Sequence, residues 1–177
     1  EEVLKELKIK ADPHTRELFR NLRNPLKIAE KANKLFPNEQ LAIPSREFNA
    51  IPKFITFSSD TEMVAKLRKE ILQLMSEGIQ PNEITILTFK SAVNSLLKDL
   101  IMIGDSHLKN EPSKSLNEIE WAQVGSFKGL ENEYIILIEL PDGQLNISRR
   151  AELFVGLTRA KTGVHIFTDK ENPILRL

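Results

Sequence analysis

Short apolar strands alternate with amphipathic helical segments along most of this chain, and this alternation limits the folds that it can adopt. Strands are predicted at 54–57, 84–87, 121–124, 134–140 and 163–167, and helices at 25–36, 59–78, 93–101 and 148–158. Repeated strand–helix units of this kind place parallel strands in one sheet and helices on both of its faces. We therefore predict an α/β fold, a three-layer sandwich around a mostly parallel sheet.

The predicted helix at 59–78 has sequence signals at both ends. Ser59 and Glu62 have the spacing of a capping box, in which the two side chains satisfy free backbone amides at a helix start. Gly78 suits the left-handed residue that closes many helices, and Pro81 follows shortly after it. These signals place a helix between the first two strands.

The segment after the second strand is predicted to be a helix because its apolar residues form a continuous stripe at helical spacing. These residues are Val93, Leu96, Leu97, Leu100 and Ile101. The stretch 104–118 is mostly polar and has no period, so we predict a solvated loop there.

The composition argues against several classes of function. Twenty-five basic and 25 acidic residues cancel, so a nucleic acid would have to bind a local patch rather than the field of the whole chain. Cysteine is absent and the three histidines are far apart, which argues against a metal site. The 177 residues fit one domain, and no apolar run is long enough to span a bilayer, so we expect a cytoplasmic protein.

One candidate functional segment is 125–131, which contains two glycines four residues apart, together with Lys128 and Glu131. Glycines let the backbone approach a ligand closely, and ligands of open α/β sheets bind beyond the carboxyl ends of the strands. The segment follows a predicted strand and so occupies such a position. Its structural alternative is a solvated turn between strands.

Two further segments each carry an arginine. The segment 153–161 ends its apolar helical positions at Thr158 and Arg159, although an arginine there can simply interact with the carboxyl end of a helix. The segment 21–25 contains Arg23 just before a helix, and this side chain could merely be exposed.

Taken together and in their order along the chain, these three segments resemble the second RecA-like motor domain of UvrD/Rep-type superfamily 1 helicases. The segment 18–32, which begins Leu-Phe-Arg-Asn-Leu-Arg-Asn-Pro, resembles the motif that opens that domain. The segment 78–88 resembles the family's lead into its next strand, 126–131 resembles motif V, and 153–160 resembles motif VI. The resemblance covers about residues 15 to 168, so it predicts that the whole chain 1–177 is a single second motor domain with a RecA-like fold.

The resemblance implies roles for residues at an ATP site. Arg23 and Arg159 match the two family arginines that reach the γ-phosphate of ATP held by the partner motor domain. A permanently charged guanidinium stabilises the charge on a transferring phosphoryl group. Gly129 and Glu131 match positions that contact the nucleotide, and Lys128 beside them could orient the loop or meet a phosphate.

The resemblance also implies part of a track for single-stranded DNA, with departures from the family pattern. Gly125 stands where members often carry a DNA-contacting histidine, and Ser126 and Phe127 stand nearby. Phe127 could stack on a base or pack in the core beneath the loop. Ser91 stands where some members have asparagine, and Lys90 beside it offers a positive charge.

Half of the ATP site is missing from this sequence. It contains neither a phosphate-binding loop nor the acidic pair that holds Mg²⁺ at the end of a strand. We therefore expect ATP with Mg²⁺ to be held mainly by a first motor domain of the same polypeptide, and this chain alone to be inactive. The stretch 104–118 stands where larger family members carry an accessory insertion.

Two alternatives to a helicase motor remain at this stage. The chain could be a degenerate relative that binds nucleic acid or protein without ATP turnover. It could also be an unrelated flavodoxin-like or nucleotide-binding domain, although it has no nucleophile elbow, dinucleotide loop or isolated acid–base pair.

Overall fold

The computed structural model describes residues 20–21, 23–37, 43–44, 50–112, 115–141 and 146–176. Its strands are β1 (Arg20–Asn21), β2 (Ile43–Pro44), β3 (Lys53–Phe57), β4 (Ile84–Thr88), β5 (Met102–Ile103), β6 (Ser106–Lys109), β7 (Glu118–Gln123), β8 (Asn132–Ile138) and β9 (Ala160–Asp169). Its helices are α1 (Leu26–Asn33), α2 (Asp60–Ser76) and α3 (Ile147–Leu157). Short 3₁₀ helices lie at Pro81–Glu83, Ala92–Asn94, Leu96–Asp99 and Pro173–Arg176.

Seven strands form one sheet in the order β3-β9-β8-β4-β7-β6-β5. All of its neighbouring strands run parallel except β5 and β6, which are antiparallel. The short β1 and β2 pair separately and in parallel. The predicted α/β fold with a mostly parallel sheet is therefore confirmed.

The described helices cover both faces of this sheet, each over its own apolar cluster. On one face, α1 and α3 pack on β4, β8 and β9, and the buried residues there include Ile28, Ala32, Leu87, Ile135, Leu137, Leu153, Leu157 and Ile166. On the other face lies α2, and the buried residues include Met63, Leu67, Ile71, Ile84, Ile86, Ile136, Ile138 and Phe167. The central strands are buried on both sides, which explains the apolar run from Ile135 to Ile138 in β8 and the aliphatic residues Ile84, Ile86 and Leu87 in β4.

Both ends of α2 are as the sequence predicts. The Ser59 hydroxyl accepts a hydrogen bond from the Glu62 amide at 3.2 Å, and the Glu62 carboxylate accepts one from the Ser58 amide at 2.7 Å. Gly78 has a φ of +96°, and the Ile79 amide donates to the Leu74 carbonyl at 3.2 Å. This left-handed closure needs a residue without a Cβ.

The predicted helix at 93–101 is wrong. Two 3₁₀ helices stand there, and the supposed stripe is broken because Val93 and Ile101 are 73% and 71% exposed. The physical reason is Ser95, which has an extended backbone and donates its hydroxyl proton to the carboxylate of Glu139 at 2.6 Å. This long-range hydrogen bond holds the chain in a conformation that interrupts the helix.

The predicted loop at 104–118 is wrong in part, because β6 lies within it and β7 already begins at Glu118. Ser106 and Leu108 are buried while His107 is exposed, so buried and exposed side chains alternate along β6 as in a strand with one buried face. Four residues with only one large apolar side chain give no clear sequence signal.

The other predicted strands correspond to β3, β4, β7, β8 and β9, and the predicted first and last helices correspond to α1 and α3. In the motif that opens the resemblance, residues 18, 19 and 22 lie outside the described residues. No helix in the described ranges has the length and apolar character needed to cross a membrane.

Candidate functional site

Arg23 and Glu131, which are far apart in sequence, form an ion pair. The Nε atom of Arg23 lies 2.6 Å from Oε2 of Glu131, and the two side chains are 48% and 36% exposed. Arg23 lies just before α1, and Glu131 is the residue before β8. The pair therefore brings the segment before α1 to the start of a central strand.

Arg159 lies beside this pair, between the end of α3 and the start of β9. Its guanidinium donates to the carbonyls of Leu130 and Val155, at 3.2 and 3.1 Å, and to the hydroxyl of Thr158 at 3.2 Å. These contacts fix the plane of the guanidinium against both the segment 126–131 and the segment 153–160. Arg159 is half-buried, whereas Arg23 is exposed.

The electrostatic environment of Arg159 disfavours its positive charge. Burial lowers the pKa of the Arg159 guanidinium from its ordinary value, the neighbouring charge of Arg23 lowers it further, and Glu131 acts in the opposite direction. The group stays charged because an arginine does not deprotonate in proteins. An anion that contacted both arginines would relieve this unfavourable interaction.

This cluster lies at the amino ends of β8 and β9, not at the carboxyl ends of strands as we expected for 125–131. That segment leaves the carboxyl end of β7 and returns to the amino end of β8 without forming a helix, so its two ends lie on opposite edges of the sheet. Glu131 and Arg159 each precede the first residue of their strand, and the Asn132 amide donates to the Arg159 carbonyl at 3.1 Å.

Asn24 holds the cluster together, and the sequence analysis missed it. Its side chain is buried, and its amide group donates to the carbonyls of Thr158 and Ala160 at 3.0 and 2.7 Å. Its side-chain oxygen accepts from the amide group of Asn21 at 3.0 Å. Asn24 thus fixes the residue next to Arg23 against the two residues that flank Arg159.

Gly129 shapes the loop that presents a carbonyl to Arg159. It has a φ of +94° and lies at the third position of a turn in which the Leu130 amide donates to the Phe127 carbonyl at 3.2 Å. A type II turn requires a positive φ at that position, which favours glycine. The turn directs the Leu130 carbonyl towards the Arg159 guanidinium, while Lys128 in the same turn is exposed.

We expect Gly129→Ala to destabilise the chain by about 1–2 kcal/mol, because a Cβ strains a backbone with positive φ. A steric clash is not the cause of this loss, since an added Cβ would have no atom within 4 Å. The measurement is urea unfolding followed by circular dichroism. Gly125→Ala is the matched control, because that glycine also has open space but no positive φ. Equal stability of the two variants would contradict the role of the turn.

A second group of polar residues lies at the carboxyl edge of the sheet, around Glu139, which directly follows β8. The Glu139 carboxylate is buried and accepts hydrogen bonds from the hydroxyls of Thr88 and Ser95, at 2.5 and 2.6 Å, and from the Leu96 amide at 3.0 Å. The Nζ atom of Lys90 lies 3.4 Å from the same carboxylate. Sequence analysis missed Glu139, although a single carboxylate at the end of an otherwise apolar strand indicates a buried polar contact.

Glu139 has a left-handed backbone, with a φ of +53°, which is uncommon for a residue with a Cβ. The four contacts of its carboxylate compensate for that strain. They connect the ends of β4 and β8 with the 3₁₀ helices that follow β4. The Lys90 amide donates to the Thr88 hydroxyl and the Ser95 amide donates to the Ser91 carbonyl, both at 3.0 Å, so Glu139 helps to position Lys90 and Ser91.

The predicted DNA-contacting residues divide between exposed and buried positions. Lys90 is exposed at this carboxyl edge, and Ser91 is the N-cap of the 3₁₀ helix Ala92–Asn94, where its hydroxyl accepts from the side-chain amide of Asn94 at 2.9 Å. Ser126 is also exposed, and its hydroxyl donates to the Gln123 carbonyl at 2.8 Å. Phe127 is only 2% exposed and packs in the apolar cluster under α1 and α3. Its burial favours core packing over base stacking.

A separate group of titratable residues lies on the face that α2 covers. Nδ1 of His165 lies 3.0 Å from Oε1 of Glu70, and Lys53 pairs with the same carboxylate oxygen at 2.5 Å. Burial lowers the pKa of His165, an effect that the Glu70 carboxylate opposes and that Lys53 reinforces. Tyr134 packs edge-on against the imidazole.

We expect the free energy of unfolding to decrease as the pH falls below about 6.5, the ordinary pKa of histidine. The folded state holds His165 with a lowered pKa, so in this pH range the unfolded chain binds more protons. Urea midpoints measured from neutral pH to about pH 5 test this. His165→Gln should reduce the slope, and an unchanged slope in that variant would contradict the assignment.

The side-chain donors of Arg23 and Arg159 fit the phosphate end of a nucleotide. They do not fit the Mg²⁺ ion that accompanies ATP. Arg23 and Arg159 supply guanidinium N–H groups, which suit phosphate oxygens, whereas Mg²⁺ needs several oxygen ligands. Among the described residues, no group of three or more His, Cys, Asp or Glu side chains is placed to hold a metal ion.

No protein-family model and no curated protein matches this sequence. Among solved structures, the chain is similar to the C-terminal domain of a possible DNA helicase from Lactobacillus plantarum WCFS1. That match has a TM-score of 0.67 and 16% sequence identity, and it covers 86% of this chain and 91% of the other. The two chains share a fold.

The helicase-like fold agrees with the three-layer architecture described above. A second similar structure is Arterivirus nonstructural protein 10, a helicase, with a TM-score of 0.43 and 14% identity. The alignment covers 88% of this chain and 26% of the viral one, and a TM-score this low does not establish a common fold.

Proposed function

We propose that this chain is the second motor domain of a UvrD/Rep-like superfamily 1 DNA helicase, which closes on ATP with Mg²⁺ held by a first motor domain of the same polypeptide. One observation carries the proposal. Arg23 and Arg159 come from opposite ends of the sequence, and Glu131 lies 2.6 Å from Arg23 while the Leu130 carbonyl binds Arg159. Two guanidinium groups at one edge of the sheet can contact one anion.

In this proposal the two arginines contact the γ-phosphate when the motor domains close. Mg-ATP supplies the phosphoryl group that is transferred to water. Arg159 is the better oriented of the two arginines, because three hydrogen bonds fix its guanidinium. Arg23 is more exposed and reaches the site from the segment that Asn24 fixes. Arginine contacts of this kind raise the turnover of phosphoryl transfer by about 10³ to 10⁵.

Closure must depend on the nucleotide if it is to move DNA. A ligand with equal affinity for the open and closed arrangements would not change the equilibrium between them. The arginine contacts therefore have to form in the closed arrangement alone. Glu131, Gly129 and Lys128 belong to the nucleotide side of the proposed site.

The proposed track for single-stranded DNA lies at the opposite edge of the sheet. Lys90, Ser91 and Ser126 are its candidate contacts, and Glu139 positions the first two through Thr88 and Ser95. A cation and two hydroxyls suit phosphate oxygens and carry no sequence preference. Phe127 contributes to the core beneath this surface rather than to base stacking.

The experiment that tests the function compares this chain alone with the same chain joined to a motor domain that carries the phosphate-binding loop. We expect no ATP hydrolysis from the chain alone and DNA-stimulated hydrolysis from the joined protein. DNA binding without any nucleotide dependence in the joined protein would indicate the alternative, a degenerate module. Hydrolysis by the chain alone would contradict the proposal.

A further inference from the structure

Glu131 contacts two cations, one with each oxygen of its carboxylate. Oε2 lies 2.6 Å from Nε of Arg23, and Oε1 lies 3.4 Å from Nζ of Lys161, the second residue of β9. Lys161 also lies 3.8 Å from Oε1 of Glu133, whose other oxygen accepts from the Thr162 hydroxyl at 2.6 Å. The cluster of Arg23, Arg159, Lys161, Glu131 and Glu133 is named the amino-edge charge cluster below.

A phosphate that approaches Arg23 and Arg159 also approaches the Glu131 carboxylate, which repels it. The Arg23–Glu131 pair is exposed, and exposed pairs contribute little free energy, so Arg23 can exchange its partner. The carboxylate would then remain beside the phosphate. It needs a second cation if that arrangement is to be stable.

Lys161 is placed to be that second cation. Its Nζ atom lies 3.4 Å from Oε1 of Glu131, whereas the 2.6 Å contact of Arg23 is with Oε2, so Lys161 can stay paired when Arg23 moves. The amino-edge charge cluster has three cations and two carboxylates, which leaves one net positive charge. Without Lys161 the net charge would be zero, and an anion would gain little on binding.

We propose that Lys161 is a positioning residue of the nucleotide site, which retains the Glu131 carboxylate when Arg23 turns to a phosphate. This inference rests on the proposed function. Glu131 is then a shared counter-ion: it pairs with Arg23 and Lys161 when no phosphate is bound, and with Lys161 when Arg23 contacts a phosphate. Lys161 itself need not touch the phosphate.

The first test uses the 177-residue chain and sodium tripolyphosphate, with binding followed by NMR signals of the Arg23 and Arg159 Nε–H groups. Lys161→Met should weaken binding by about two- to fivefold, as expected for one exposed charge pair. Lys161→Arg should bind like the parent. Glu131→Gln should bind more tightly than the parent, and Lys161→Met with Glu131→Gln should return to the parent level, because the net charge is restored.

Lys170→Met is the matched control, since Lys170 is an exposed lysine just beyond the carboxyl end of β9 and its loss changes the total charge equally. We expect parent-like binding from it. The second test measures ATP hydrolysis by the chain joined to its first motor domain. In that joined protein, Lys161→Met should raise KM for ATP by about two- to fivefold and change kcat less. The reason is that loss of the lysine charge weakens binding of the anion.

The outcomes separate the inference from the function. If Arg23 and Arg159 respond to tripolyphosphate but Lys161→Met binds like the parent, the role of Lys161 is wrong and the nucleotide site stands. Failure of Glu131→Gln to restore binding in the Lys161→Met background would also overturn the shared counter-ion. If neither arginine signal responds to millimolar tripolyphosphate, the proposed nucleotide site and the inference both fail.

Discussion

Arg159→Ala is expected to lower the DNA-stimulated ATPase rate of the protein that includes the first motor domain by about 10³-fold or more. The reason is that three hydrogen bonds orient the Arg159 guanidinium, and the more exposed Arg23 does not replace it. Arg159 is held by two carbonyls and one hydroxyl, and burial has already removed part of its hydration. Steady-state kinetics at saturating DNA measure the effect, which should fall mainly on kcat.

Two further variants show whether the planar guanidinium is what matters. Arg159→Lys keeps the charge but cannot reproduce the contacts to Leu130 and Val155, so we expect it to recover only a small part of the rate. Arg149→Ala, near the other end of α3, is the matched control and should retain at least about half of the parent rate. Turnover close to the parent in Arg159→Ala would remove the basis of the motor assignment.

The second large effect is expected at Asn24, where Asn24→Asp should destabilise the chain by about 2–4 kcal/mol. The replacement has the same shape but lacks the N–H donors that now satisfy two buried carbonyls. A carboxylate would instead face the oxygens of Thr158 and Ala160 at about the present distances of 3.0 and 2.7 Å. Urea unfolding near neutral pH measures the loss.

Asn94→Asp is the control for Asn24→Asp. Asn94 is exposed and its side-chain amide donates to the Ser91 hydroxyl, so its replacement should change stability by less than about 0.5 kcal/mol. Because Asn24 lies beside Arg23, we also expect its replacement to reduce ATPase at temperatures where the variant is still folded. A variant as stable as the parent would show that the amide group does not hold the segment before α1.

Much of the fold follows from local signals in the sequence. The ends of α2 are predictable because capping and left-handed closure depend on residues within one turn of each end, such as Ser59 and Gly78. The central strands are predictable because burial on both faces requires continuous apolar runs. The region from 93 to 118 was misjudged because its structure depends on distant partners, Glu139 for Ser95 and β7 for β6.

The candidate site was predictable only as a set of residues. The resemblance pointed to Arg23, Arg159 and Glu131, and the structure brings these three together. Nothing in the sequence indicated that Glu131 pairs with Arg23 or that Asn24 connects the segment before α1 to β9. Such contacts join positions more than a hundred residues apart, and local patterns carry no information about them.

The connection between β7 and β8 has a mechanical consequence. Because it contains no helix, the short segment from Val124 to Glu131 runs the full height of the sheet, with Ser126 near one edge and Glu131 at the other. The Phe127 ring anchors its middle in the core. Glu131 at the proposed nucleotide site is therefore connected to Ser126, at the proposed DNA track, by a path of only five peptide bonds. In the proposed motor, ATP binding and movement of the DNA would therefore involve the same short segment of backbone.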